Sequence, residues 1–232
     1  MKKLMFVAAV AAGVAAFGDG IESANTVGYE NTAMRAGSSL YTPMFSEVGA
    51  AQMNIQDLIP SGDNVPDDGS IVLQTLSSSG MQGDVLLSWW GDGWYDGDDN
   101  TPDTYLDTGD AAWIYFPDNT LTLNSAGEVK NQEVLSPLVN GSVAIGNPYP
   151  VQIDIQDIVP VASEGDVPED GSIVIQTLDP YGMQGDVLLS WWGDGWYDGD
   201  DNTPATLLAP GEGVWVASPS ATLSLKWPGF TL

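Results

Sequence analysis

The chain has 232 residues, with 32 Asp and Glu against 5 Lys and Arg, and it contains neither cysteine nor histidine. This balance excludes a basic nucleic-acid footprint and attraction to anionic lipid. The missing residue types exclude disulfides, thiolate chemistry, Ser-His-Asp catalysis and the usual zinc, copper and haem ligand sets.

A hydrophobic fraction of 43% supports a packed core, and charged residues make up only 16%, so the chain is stripped of bases more than it is rich in acids. Met1-Lys2-Lys3 followed by the small-apolar run Leu4 to Phe17 reads as a secretory leader too short to span a bilayer. The small residues around Ala16-Phe17-Gly18 place cleavage before Asp19, with cleavage after Ala16 the alternative. Residues 1–18 are therefore expected to be a signal peptide. The protein is expected to be exported, to the cell surface, the medium or the periplasm. No later run is long and apolar enough for a transmembrane helix.

Beyond the leader the pattern is β. Met53 to Leu58 has room for one helical turn, stopped by Pro60. Asp68-Gly69-Ser70 reads as a turn into a β-branched strand, Ser70 to Leu76. Asp84 to Trp90 is a second strand, Gly91-Asp92-Gly93 a tight turn, and Trp94-Tyr95 the start of a return strand. Ala112 to Phe116 and the alternating Thr120 to Leu123 complete the set, the latter as a half-buried edge. The polar stretch Asn124 to Glu133 then interrupts the strand pattern.

The same unit is written twice. Gly80 to Pro102 and Gly182 to Pro204 are identical, and Val65 to Leu76 matches Val167 to Leu178 with two changes. Downstream the match thins to pairs such as Leu106/Leu208, Trp113/Trp215 and Leu123/Leu225, while Ile55-Gln56-Asp57 returns as Ile155-Gln156-Asp157. A repeat of about a hundred residues is a domain and not a solenoid turn. The expected architecture is all-β: two tandem copies of a small β-sandwich or barrel-like domain, over residues 19–130 and 131–232.

Each copy concentrates its unusual residues in one block. Trp89, Trp90, Trp94 and Tyr95 recur as Trp191, Trp192, Trp196 and Tyr197. Successive strand residues face opposite ways, so one of Trp89 and Trp90 fills the core and the other meets solvent, the other copy or a ligand. An exposed indole beside carboxylates suits a sugar, the ring stacking on its CH face and the acids accepting its hydroxyls. The alternative is an indole packed under a loop or between the copies.

Asp92, Asp96, Asp98 and Asn100, with Asp194, Asp198, Asp200 and Asn202, offer carboxylate and amide oxygens that could converge on calcium. They lack the later glutamate and flanking helices of an EF-hand, and a solvated Asp-Gly turn is the competing reading. Paired carboxylates can also hydrolyse glycosides, but Asp96 and Asp99 are too generic to argue an enzyme. No catalytic residue set is expected.

Ile21 to Tyr29, Gly37 to Phe45 running into Ile55-Gln56-Asp57, and the closing Leu208-Ala209-Pro210-Gly211-Glu212-Gly213-Val214-Trp215-Val216 together resemble a group of uncharacterised secreted β proteins of Verrucomicrobia-like bacteria. The resemblance implies export and a β fold, and it brings no activity. Two expectations of function follow. One is a non-enzymatic structural or surface-associated protein that self-associates or joins an envelope or matrix, stiffened by calcium. The other is a tandem carbohydrate-binding module for a polysaccharide, using the duplicated aromatic and acidic block.

Overall fold

The computed structural model describes residues 27–34, 36–76, 82–178 and 184–231. The expected leader and its cleavage site lie outside the described residues. Among the described residues, no helix is long and apolar enough to cross a membrane. The fold is all-β, and every described strand pairing is antiparallel.

The first copy comprises β1 (Val27–Ala33), β2 (Gly37–Tyr41), β3 (Phe45–Ser46), β4 (Gln52–Asn54), β5 (Ile59–Ser61), β6 (Val72–Leu76), β7 (Gln82–Trp89), β8 (Trp94–Tyr95), β9 (Tyr105–Asp107), β10 (Ala112–Phe116) and β11 (Thr122–Val129). A five-stranded sheet runs β2-β10-β6-β7-β8. A second sheet centres on β11, with β1 on one side and β3 and β5 on the other, and β4 pairs with β9. The 3-10 turn Ile55–Asp57 sits between β4 and β5, where one helical turn was expected.

The second copy repeats this plan with β12 (Val134–Pro137), β13 (Gly141–Gly146), β14 (Ile153–Asp154), β15 (Val159–Ala162), β16 (Val174–Leu178), β17 (Gln184–Trp191), β18 (Trp196–Tyr197), β19 (Leu207–Leu208), β20 (Gly213–Ser218) and β21 (Leu223–Trp227). Its five-stranded sheet is β13-β20-β16-β17-β18, its second sheet β12-β21-β15, and β14 pairs with β19.

Strand alternation builds the cores. Ala112, Ile114 and Phe116 point inward from β10 and are buried, while Tyr115 is exposed. Leu73 of β6, Leu87 of β7, Leu121 and Leu123 join them in one core, together with Ile55 of the 3-10 turn and Leu58 just after it. Ile155, Ile158, Ile175, Leu189, Val214, Val216, Leu223 and Leu225 form the corresponding core of the second copy. Each such side chain contributes about 1.5–3 kcal/mol by leaving water. Phe230, near the end of the chain, packs against both cores.

One expectation from sequence is corrected here. The polar stretch after Leu123 does not interrupt the strand pattern: β11 runs on to Val129 and is the central strand of its sheet, not an edge. Its inward polar residue is accommodated by another. Ser125 lies opposite Glu30 of β1 and donates to its Oε2 at 3.3 Å, and the buried Tyr41 hydroxyl donates to Ser125 Oγ at 3.4 Å. In the second copy the same three positions hold Val134, Ile145 and Trp227, which join its apolar core, with Trp227 Nε1 donating to Ser136 Oγ at 2.9 Å.

The copies meet along their β2 and β13 ends through reciprocal contacts. Tyr41 forms an antiparallel bridge with Glu212, and Ile145 forms one with Asp110. Tyr41 lies opposite Ala112 as Ile145 lies opposite Val214, so these are the same contact made twice with the roles of the copies exchanged. The backbone repeats the exchange: Thr42 N–H donates to Gly211 O at 3.2 Å, and Gly146 N–H donates to Gly109 O at 3.1 Å. Reciprocity of this kind defines a local two-fold axis between the copies.

Candidate functional site

The block shared by the copies folds around its glycines and one glutamine. After β7, Trp90 N–H donates to Gly93 O at 3.0 Å, which closes the Trp90-Gly91-Asp92-Gly93 turn. Gly91 adopts φ +92°, a left-handed conformation that glycine takes without cost. Gln56 then clamps the return strand: its Nε2 donates to Trp94 O at 2.8 Å and its Oε1 accepts from Trp94 N at 3.0 Å. Trp94 Nε1 donates to Leu58 O at 2.6 Å. Gln156, Trp196 and Ile158 repeat this arrangement. The Ile-Gln-Asp triplet is therefore the support of the aromatic block.

The adjacent tryptophans separate as strand geometry requires. Trp89 and Trp94 are core residues, 5% and 0% exposed, packed edge to face with ring centroids 5.6 Å apart. Trp191 and Trp196 do the same at 5.4 Å. Buried rings cannot stack on a ligand, so these four are not part of a binding surface. Trp90 is 48% exposed and Trp192 50%.

Trp90 is held in place by a glycine. A β-carbon on Gly69 would lie 2.8 Å from Trp90 Cζ2, 3.1 Å from Cε2 and 3.4 Å from Cη2. That progression sets the glycine against the flat of the six-membered ring. Trp192 lies over Gly171 with the same three distances. One side of each indole thus rests on the Asp-Gly-Ser turn.

Acids line the turn that follows the indole. Asp67 sits against Gly91, and Glu169 occupies the same place against Gly193. Tyr95 donates its hydroxyl to Asp92 Oδ1 at 3.2 Å, and Tyr197 donates to Asp194 Oδ1 at 3.1 Å. Partial desolvation first, and the Asp92 carboxylate second, raise the Tyr95 hydroxyl above its ordinary pKa. For Tyr197 the hydrogen bond to Asp194 is the leading cause of the same upward shift.

The platform continues across the outer face of the five-stranded sheet. Leu86, Ser88 and Trp90 alternate outward along β7 and beyond it. Ser88 lies opposite Tyr95 on one side and Val72 on the other, and Val72 lies opposite Tyr115. Leu86 and Tyr115 are both exposed. In the second copy Leu188 is exposed in the same way, and Ala217 stands in the place of Tyr115.

The acid loop is organised by its own hydrogen bonds. Asp96 Oδ1 accepts from the backbone N–H of Asp98 at 2.9 Å and of Asn100 at 3.0 Å, and from the Asn100 side chain at 3.2 Å. These donors hold the Asp96 carboxyl below its usual pKa. Asp198 repeats the arrangement with Asp200 and Asn202. Asp99 and Asp201 take φ of 59° and 60° at the apex of this turn. Asp92 and Asp194 face their tyrosines instead. Among the described residues, no group of three or more acids is arranged to hold a metal ion. The loop's own N–H groups shape it as a hydrogen-bonded Asp turn.

Both lysines among the described residues are paired with acids. Lys130 pairs with Glu128 at 3.6 Å and Lys226 with Glu133 at 3.4 Å. Comparisons with protein-family models, with curated proteins and with solved structures found no match.

Proposed function

We propose that this is an exported, non-enzymatic carbohydrate-binding protein whose two copies each present one indole platform, Trp90 and Trp192, to a neutral polysaccharide. The observation that carries the reading is the seating of each half-exposed indole on a glycine, with the opposite side of the ring free to meet a sugar's CH face. Asp67, Asp92 and their counterparts, on the turn next to each indole, would accept sugar hydroxyls. The chain carries a net charge of −27, so an anionic glycan would be repelled and a neutral one is favoured. The acids nearest the ring are held in turns or by tyrosine hydroxyls, which suits binding better than proton transfer.

Affinity electrophoresis through galactomannan, mixed-linkage β-glucan and arabinoxylan tests this. Retardation by at least one polymer is expected, with loss of about 10-fold or more in affinity when Trp90→Ala and Trp192→Ala are combined. Retardation that survives the double substitution would overturn the platform reading.

A second reading, a self-associating structural component of an exported layer, draws on the exposed Leu86, Leu188 and Tyr115 of the outer sheet faces. It expects reversible oligomers in sedimentation at neutral pH, weakened by Leu86→Lys together with Leu188→Lys.

A further inference from the structure

We propose that the protein cross-links polysaccharide: the Trp90 and Trp192 platforms hold two separate chain segments running in opposite directions, and not one straight chain. The inference rests on the platform reading above and adds to it the two-fold axis between the copies.

The axis is carried by three sets of exchanged contacts and a fourth pair of matching positions. Tyr41 bridges Glu212 and Ile145 bridges Asp110. Thr42 N–H donates to Gly211 O and Gly146 N–H donates to Gly109 O. Met44 packs at Gly211, and Pro148, its counterpart, packs at Gly109. Leu40 packs at Gly213, and their counterparts Ala144 and Ala111 are both buried. Met44, Thr42, Ala111 and Ala144 are buried at this junction, so it is a packed contact and not a tether.

The consequence for a ligand is geometric. A sugar polymer has a reducing and a non-reducing end, so a bound segment has a direction. The line joining two sites related by a two-fold axis is perpendicular to that axis. Rotation by half a turn reverses any vector along such a line. A straight chain passing through both platforms would therefore run forwards across one and backwards across the other. The platforms come from blocks of identical sequence, Gly80 to Pro102 and Gly182 to Pro204, so both prefer the same direction relative to their own copy. One straight segment can satisfy only one of them. Two segments, from two chains or from a chain that has folded back, can satisfy both.

The avidity usual for tandem modules on a single chain requires both sites to engage it at once, and this geometry forbids that on a straight one. What remains is bridging.

The experiment uses the full chain, Trp90→Ala and Trp192→Ala, with whichever of the three neutral polymers gave retardation and with its hexasaccharide. The hexasaccharide should bind the unaltered chain at two sites and each single variant at one, with the remaining site's affinity unchanged by the substitution at the other. Binding at the untouched site reports that each variant is folded. The unaltered protein should make the polymer solution turbid, with a maximum at intermediate protein-to-polymer ratio and clearing in excess protein. Either single variant should abolish turbidity. Tighter binding of the unaltered chain to long polymer, by about 10-fold or more over the single variants and with no turbidity, would overturn cross-linking while leaving the platforms standing. No binding of hexasaccharide or polymer would overturn both.

Discussion

The ring of Trp90 lies over Gly69 in the space where any other residue would carry its β-carbon. Gly69 also adopts φ +79°, a conformation disfavoured for residues with a β-carbon. Gly69→Ala should therefore cost about 1–2 kcal/mol and push the indole off its seat. Chemical denaturation measures the first effect. A change in acrylamide quenching of the exposed tryptophan fluorescence measures the second, and Gly171→Ala should behave alike in the other copy.

Glu30 makes the first copy sensitive to pH. Desolvation by burial raises its pKa from 4.5 to about 7, and the Ser125 hydrogen bond offsets this only in part. Below about pH 4.5 the carboxyl is protonated in both folded and unfolded chains and contributes no difference. Between pH 4.5 and 7 the unfolded chain releases this proton and the folded chain keeps it, so stability falls as pH rises through that window. The full effect is about 3 kcal/mol above pH 7. The acid faces Ser125, Thr32 and the Tyr41 hydroxyl, whose own pKa burial pushes up. Urea unfolding at a series of pH values should show the slope, and Glu30→Gln should remove this part of it while leaving the general effect of net charge.

Gln56 should matter more than an exposed glutamine would. Gln56→Leu removes both hydrogen bonds to the Trp94 backbone and leaves that N–H and C=O without the side-chain partner. A loss of about 1–3 kcal/mol is expected. Gln156→Leu should cost a similar amount, because Trp196 is held by the same pair of bonds. Thermal unfolding of the two variants checks both the size and the equivalence.

Millimolar calcium should not stabilise the fold. The Asp96 and Asp198 carboxylates are already bound by the N–H groups of their own loops. Unfolding temperatures in EDTA and in calcium, at matched ionic strength, should agree within error, since only a ligand of the folded state raises stability by mass action.

The junction between copies depends on Gly146. A β-carbon there would collide with the Thr42 side chain and sit 2.8 Å from Glu212 O. Gly146→Val should open the junction at a cost of about 1–3 kcal/mol and lengthen the molecule in small-angle scattering. Far-ultraviolet circular dichroism should be unchanged, because neither core includes this residue.

Much of this protein was legible in its residue order. The duplication, the all-β class, the strand Ala112 to Phe116 and the turn at Ile55 follow from short-range signals: apolar alternation, glycine positions and identical text. The separation of Trp89 from Trp90 follows from the period of a strand, although which of them turns inward does not. That choice depends on register, and the pairing of Leu87 with Leu73 and of Trp89 with Trp94 set it. Tertiary structure also decided the strand beyond Leu123, because a polar run joins a central strand only when partners such as Glu30 and Tyr41 meet it from distant sequence. It also decided how the acid loop is held, with Asp96 Oδ1 accepting from the N–H groups of Asp98 and Asn100. Above all it decided the two-fold relation of the copies. Repetition fixes that there are two units, but their orientation rests on contacts such as Tyr41 with Glu212, between residues far apart in the chain that no local pattern brings together.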